Sequence, residues 1–188
     1  MASTDSKVSS GINLTTDFFL KNFYRSNRNA MKASTRSDYH KKELSYEDSR
    51  ALKRALSKLS SFTYTEDENQ DNIKSSIQAF VKTYNYTLES TSTTDSDVNR
   101  QNRQLKALTQ KYGKDLKKIG ISIEENGTLS VSENIFKDSS VKEISKVFSS
   151  ESNYVRNVRN IAKRMNDSSY NEVYAYMTGR GGRINIVL

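Results

Sequence analysis

The chain has 188 residues, 34% of them hydrophobic, carries a net charge of +8, and contains no cysteine, proline or tryptophan. Such a length suits one domain, and so thin an apolar share fits helices packed along a seam better than a thick layered sheet. The lack of cysteine excludes disulfides, thiolate catalysis and cysteine-ligated metals, and no run approaches the ~20 apolar residues of a membrane span. Met1 to Ser10 is polar and lacks a signal peptide's apolar stretch. The expected location is therefore the cytoplasm, or outside the cell by a route without a cleaved signal. The charges fall in blocks: net +7 from Lys21 to Lys58, −5 from Thr63 to Asp97, and +6 from Arg100 to Lys118. Blocks of this kind are solvated helix faces or attract one another between helices and copies.

Residues 1–13 are small and polar and read as a disordered N-terminus. Thr15 or Thr16 then caps a short helix carrying Phe18, Phe19, Leu20, Phe23 and Tyr24. So dense an aromatic cluster either docks on the main bundle or forms a partner face, for which Phe18, Phe19, Phe23 and Tyr24 are the candidates. Residues 25–45 are polar and basic. His40, the sole histidine, has no second histidine or cysteine with which to share a metal and reads as exposed and idle.

Ser45, followed three residues later by Asp48, approximates a capping box. Ala51, Leu52, Ala55, Leu56, Leu59 and Phe62 then share one helical face, with Arg50, Lys53, Arg54 and Lys58 beside it. That basic flank could meet nucleic acid, an anionic membrane or an acidic partner. The acidic Glu66-Asp67-Glu68 and Asp71 that follow would repel nucleic acid. Asp71 or Asn72 caps the next helix, with Ile73, Ile77, Phe80, Val81, Tyr84 and Leu88 on one side. The Ser/Thr/Asp connector from Glu89 to Asp97 is short enough to set the following helix antiparallel to it.

From Val98 or Asn99 a long helix carries Leu105, Leu108, Tyr112, Leu116 and Ile119 at gaps of three and four, a single seam. Gly120 ends it. Ile121 and Ile123, then Leu129 and Val131, alternate around Glu124-Glu125-Asn126-Gly127, and Asn126-Gly127 predicts a hairpin with a type I′ turn. Ser132 caps a helix opening with Ile135 and Phe136, and Val141, Ile144, Val147 and Phe148 continue at helical spacing. After Ser149 or Ser150, Tyr154, Val155, Val158, Ile161, Ala162 and Met165 form an apolar side, with Arg156, Arg159, Lys163 and Arg164 opposite. Asn166-Asp167-Ser168-Ser169 should break this helix. Val173, Tyr174, Tyr176 and Met177 then give a short last one, and 179–188 forms a flexible Gly/Arg-rich tail. The expected fold is mainly α: an elongated antiparallel helical bundle over 14–178 with one small β-hairpin at about 121–131.

The order Ile119-Gly120-Ile121, polar turn, Gly127-Thr128-Leu129, capping Ser132, then Val141 to Phe148 resembles the C-terminal part of bacterial flagellar hook-associated protein 2, the filament-cap family. Phe80-Val81-Lys82-Thr83-Tyr84-Asn85 looks like that family's FV-x-x-YN helix, and Tyr176-Met177-Thr178 with Gly182 and Ile184 is similar to its next helix end. The match covers roughly 73–148. The family's long coiled coil has no counterpart in these residues. The resemblance implies a non-enzymatic structural or assembly protein without cofactors, metals or a small-molecule substrate. Its partners would be protein subunits, either copies of itself or flagellar-type subunits, met through helix faces. The seam from Leu105 to Ile119 and the turn at Asn126 and Gly127 would be its scaffold.

The alternative is a basic nucleic-acid-binding module using the Arg50–Lys58 and Arg156–Arg164 faces. Charge alone carries it, since no motif of a DNA-reading fold is present. No phosphate loop, dinucleotide fingerprint, zinc-protease motif or nucleophile elbow occurs, and the adjacent Glu124 and Glu125 point to opposite sides of a strand. A solvated surface of charge +8 predicts weak, sequence-blind binding to nucleic acid that fades with salt. Fluorescence anisotropy with two unrelated sequences at low and physiological salt checks this; tight binding to only one of them would promote the alternative.

Overall fold

The starts of four helices in this protein are fixed by polar side chains that satisfy the first free backbone N–H groups. The computed structural model describes residues 12–92 and 96–180. Helix α1 (Thr16–Phe23) starts at Thr15, whose hydroxyl accepts the Phe18 N–H, and two 3-10 turns follow at Arg28–Met31 and Ala33–Asp38. Helix α2 (Lys41–Leu59) leads to α3 (Gln70–Thr91), whose cap Asn69 accepts the Asn72 N–H. Then come α4 (Ser96–Lys111), α5 (Gly113–Lys118), strands β1 (Ile121–Ile123) and β2 (Leu129–Val131), α6 (Glu133–Asp138), α7 (Val141–Phe148) and α8 (Asn153–Arg180). The protein is mainly α with one small antiparallel hairpin, as the periodicity requires.

Helix α2 packs on α3 along one side and on α8 along the other, and α4 lies against the far side of α8. Tyr46 meets Tyr170 near one end of the α2–α8 pair and Leu56 meets Arg159 near the other, so the two helices run antiparallel. Tyr112 beside Tyr154 and Gln101 beside Ser168 show the same for α4 and α8. The long helix after the connector thus pairs chiefly with α8 rather than with its sequence neighbour α3. Phe80, Phe148 and Tyr154 stack edge to face through the centre, with Leu52, Leu56 and Leu59 also fully buried. The hairpin leans on α3, where Asn85 makes two backbone bonds of 2.8 Å to Leu129, one donated and one accepted.

Four local expectations are corrected. Helix α2 starts at His40, not Ser45: Lys42 N–H donates to His40 Nδ1 and the Glu43 carboxylate accepts the His40 N–H at 2.8 Å. Ser45 faces inward instead, 2.7 Å from Ser169 Oγ of α8. The helix carrying Leu105 to Ile119 breaks at Tyr112, beside Gly113, where a Cβ would lie 3.3 Å from Ile123 Cδ1. The hairpin turn is not type I′. Gly127 has φ +87° but Asn126 does not share a positive φ, and Gly127 N–H bonds the Glu124 carbonyl while Glu124 N–H bonds that of Thr128. This is a type I turn closed by a glycine bulge, with Asn126 Oδ1 accepting the Thr128 N–H. Finally, α8 runs unbroken through 166–169. Asn166 donates to the Tyr46 carbonyl and to Ser49 Oγ, and Ser168 accepts from Gln101, so these side chains bond neighbouring helices instead of competing for their own backbone.

Both hairpin glycines hold positive φ, but their surroundings differ. A Cβ on Gly120 would lie 2.7 Å from the backbone N of Phe136, whereas one on Gly127 would meet only the flexible Lys106 side chain. Gly120→Ala should therefore destabilise by about 2–4 kcal/mol and Gly127→Ala by about 1–2 kcal/mol. Urea unfolding of both variants measures the difference, and equal losses would count against the tight approach at Gly120.

Candidate interaction surfaces

Helix α8 presents two unlike sides at its C-terminal end. Inward, Ser169 meets Ser45 of α2 and Val173 is buried. Outward, Tyr170, Tyr174 and Met177 follow at gaps of four and three and so share a side, with exposures of 43%, 58% and 43%. Tyr170 stacks near-parallel on Tyr174 at 6.5 Å and leans on Tyr46 of α2 at 5.9 Å, with the Arg50 guanidinium over the Tyr46 ring. Beside this stripe, Tyr176 stacks on His40 at 4.5 Å. His40 is thus a helix cap and a ring partner, not an idle side chain.

The partner face expected on α1 is largely internal. Phe19, Phe23 and Tyr24 are buried, because α1 lies across α3 and α2 and turns these rings inward. Phe18 alone remains outside, 43% exposed, with its edge on the Phe19 ring. Of the expected seam, Leu105, Leu116 and Ile119 are fully buried, while Leu108 and Tyr112 pack half-buried against the core. Those five are scaffold. Asn126 sits on an exposed turn.

The basic faces are largely engaged within the chain. Arg54 donates to the Phe23 carbonyl and Ser26 Oγ, Lys53 to Asn166, and Lys58 lies 4.1 Å from the Phe62 ring centre. Arg159 donates to the Leu56 carbonyl and Ser60 Oγ, which leaves Arg156 and Lys163 exposed on α8. Beneath this surface lies a buried charged centre. Asp48, fully buried, accepts from Tyr24 at 2.7 Å and from both terminal nitrogens of Arg36 at 3.0 and 2.8 Å. Burial alone would lower the Arg36 pKa, but the hydrogen bonds and charge of Asp48 hold it above its usual value. Burial, then Asp48, pushes the Tyr24 hydroxyl well up. The signal was present at one position: Asp48 falls in helical register with Ala51, Leu52 and Ala55, an acid on an apolar face. Arg36, in an irregular stretch, had none. Among the described residues no group of three His, Cys, Asp or Glu could hold a metal, and no helix is long and apolar enough to cross a membrane.

Glu47 is only 1% exposed, and neither carboxylate oxygen has a hydrogen-bond partner. Burial pushes its pKa up to about 7, against the pull of Arg50 and Arg54 and with a push from Asp48. The folded carboxyl keeps its proton to higher pH than the unfolded one. Its contribution to stability is therefore fully present below the unfolded value of 4.5 and is lost as pH rises through about 7. Stability should fall by about 2–3 kcal/mol from this group between about pH 5 and pH 8. Glu47→Gln should flatten that slope and stabilise the protein at the upper end. Chemical unfolding across pH measures both, and an unchanged slope in the variant would refute the assignment.

The chain matches no protein-family model, no curated protein and no solved structure, so its function is read from its own residues.

Proposed function

We propose that this chain is a non-enzymatic structural or assembly protein that works by docking helix faces against other protein subunits, as the resemblance to the filament-cap family implies. The observation that carries the reading is the outward stripe of Tyr170, Tyr174 and Met177 on α8, supported from below by Tyr46. Tyrosine and methionine are enriched where protein surfaces meet, and a contiguous apolar stripe on a helix that already buries its other side is suited to a partner helix. The rival reading, a nucleic-acid module, is weakened because Lys53 and Arg54 are held by hydrogen bonds inside the chain. The adjacent acidic turn at Glu66 to Asp71 opposes a polyanion as well.

A photo-reactive phenylalanine in place of Tyr174, irradiated in cells, tests this. The expected adduct joins the chain to a second copy or to a filament-type subunit, and is lost when Tyr170→Glu and Met177→Glu are added. Adducts confined to nucleic acid, or none at all, would overturn the proposal.

A further inference from the structure

One surface strip changes character within a short distance. Residues 12–14 run beside the start of α3: the Leu14 N–H donates to Asn72 Oδ1 at 2.6 Å, and Asn69 Nδ2 donates to Asn13 Oδ1 at 2.8 Å. On that side lies the acidic turn, with Glu66, Asp67 and Asp71 all exposed. On the other side Leu14 and Phe18 line a groove between α1 and α2 whose rim carries Arg25 and Lys58. Between the two charged flanks stand Ile12, 82% exposed, and Phe18, 43% exposed. The order across the strip is therefore acid, apolar, base. The flanks do not neutralise each other: among the described residues no ion pair joins Arg25 or Lys58 to Glu66, Asp67 or Asp71. Asp17 and Lys21 on α1 are paired with each other at 2.6 Å and leave this balance unchanged.

We propose that this strip is a two-fold interface for a second copy of the same chain, with the Arg25–Lys58 rim of each copy against the Glu66–Asp71 turn of the other and Phe18 near the axis. The inference rests on the reading of the chain as an assembly protein and names the partner for one face. A surface with acid on one side of an apolar centre and base on the other is its own complement after a half-turn about that centre. Other occupants match only half of it. An acidic peptide fits the basic rim but meets like charge at the turn, and nucleic acid or an anionic membrane is repelled there too. The basic side also gathers like charge. Burial, then the like charges of Arg50 and Arg25, lower the Arg54 pKa against the pull of Glu47. Phe18 supplies the apolar contact that its own bundle leaves uncovered, whereas charge alone gives orientation and rate more than affinity.

Sedimentation velocity on the full chain across a concentration series tests this. Wild type should show a reversible monomer–dimer equilibrium that weakens as salt rises. Arg25→Glu and Asp67→Lys, both at exposed sites and checked for native helicity and unfolding midpoint, should each weaken the dimer at least about tenfold through like-charge contacts made twice. Mixed in equal amounts, the two variants should dimerise again, since each reversed charge then faces its opposite in the other chain. A strictly monomeric wild type, a dimer indifferent to both substitutions, or a mixture without recovery would each overturn the interface. A dimer abolished by Tyr174→Glu and untouched by the charge reversals would also do so, by assigning self-association to α8. A cross-link from Tyr174 to a filament-type subunit would leave the assembly reading standing even then.

Discussion

The carboxylate of Asp48 is the contact on which the N-terminal third of the structure depends. It accepts the Tyr24 hydroxyl from the end of α1 and the Arg36 guanidinium from the second 3-10 turn, while Arg36 also donates to the Ala30 carbonyl in the first. The Asp48 carbonyl accepts from Thr87 of α3, and the Tyr86 ring lies 4.0 Å from the Arg36 carbon. Residues 25–40 bury Ala30 and Met31 but have no apolar stripe that could place them by burial alone. A buried ion pair is seldom more stabilising than a well-packed apolar pair, but breaking one side is strongly destabilising. Its role here is positional: it selects one path for an irregular segment with many others open to it. With that path set, Phe19, Phe23 and Tyr24 turn inward and Phe18 is left outside.

Helix α8 holds the other half together through polar contacts rather than grease alone. Ser45 with Ser169, and Tyr46 and Ser49 with Asn166, line its contact with α2; Ser168 with Gln101 lies on its α4 side. These hydroxyl and amide groups find partners on the facing helix, although the buried Gln101 Oε1 has none. Close antiparallel packing on two helices at once also fixes which residues of α8 are spare. Tyr170, Tyr174 and Met177 face outward because Ser169 and Val173 have taken the inner positions.

What the sequence made legible follows from the range of each signal. Apolar residues at gaps of three and four placed α2, α3, α4 and α8, and alternation with a glycine turn placed the hairpin, since these patterns record which side is buried. The misread positions are those where a side chain's partner lies far away in the sequence. Asn166 to Ser169 look like a breaker until Tyr46, Ser49 and Gln101 are seen beside them. Ser45 looks like a cap until Ser169 claims its hydroxyl. The type of the hairpin turn was out of reach for another reason: Asn-Gly serves both a two-residue turn and the last positions of a bulged three-residue turn, and the flanking residues fit either. On the surfaces, dense aromatics on α1 misled because density alone does not tell an inward ring from an outward one.

The distance along the chain between α2 and α8 has a kinetic meaning. Ser45 and Ser169 are 124 residues apart, Asn166 and Tyr46 are 120, and Arg159 and Leu56 are 103. During synthesis α2 and α3 leave the ribosome as neighbours and pair early, yet the second face of α2 stays hydrated until more than a hundred further residues have been made. Closing so long a loop is entropically expensive, and chains rich in such contacts fold more slowly than bundles whose neighbours in space are neighbours in sequence. The half-built protein therefore passes through a state in which Ser45, Tyr46 and Ser49 await α8, a window in which chaperones and misassembly compete for the same surface.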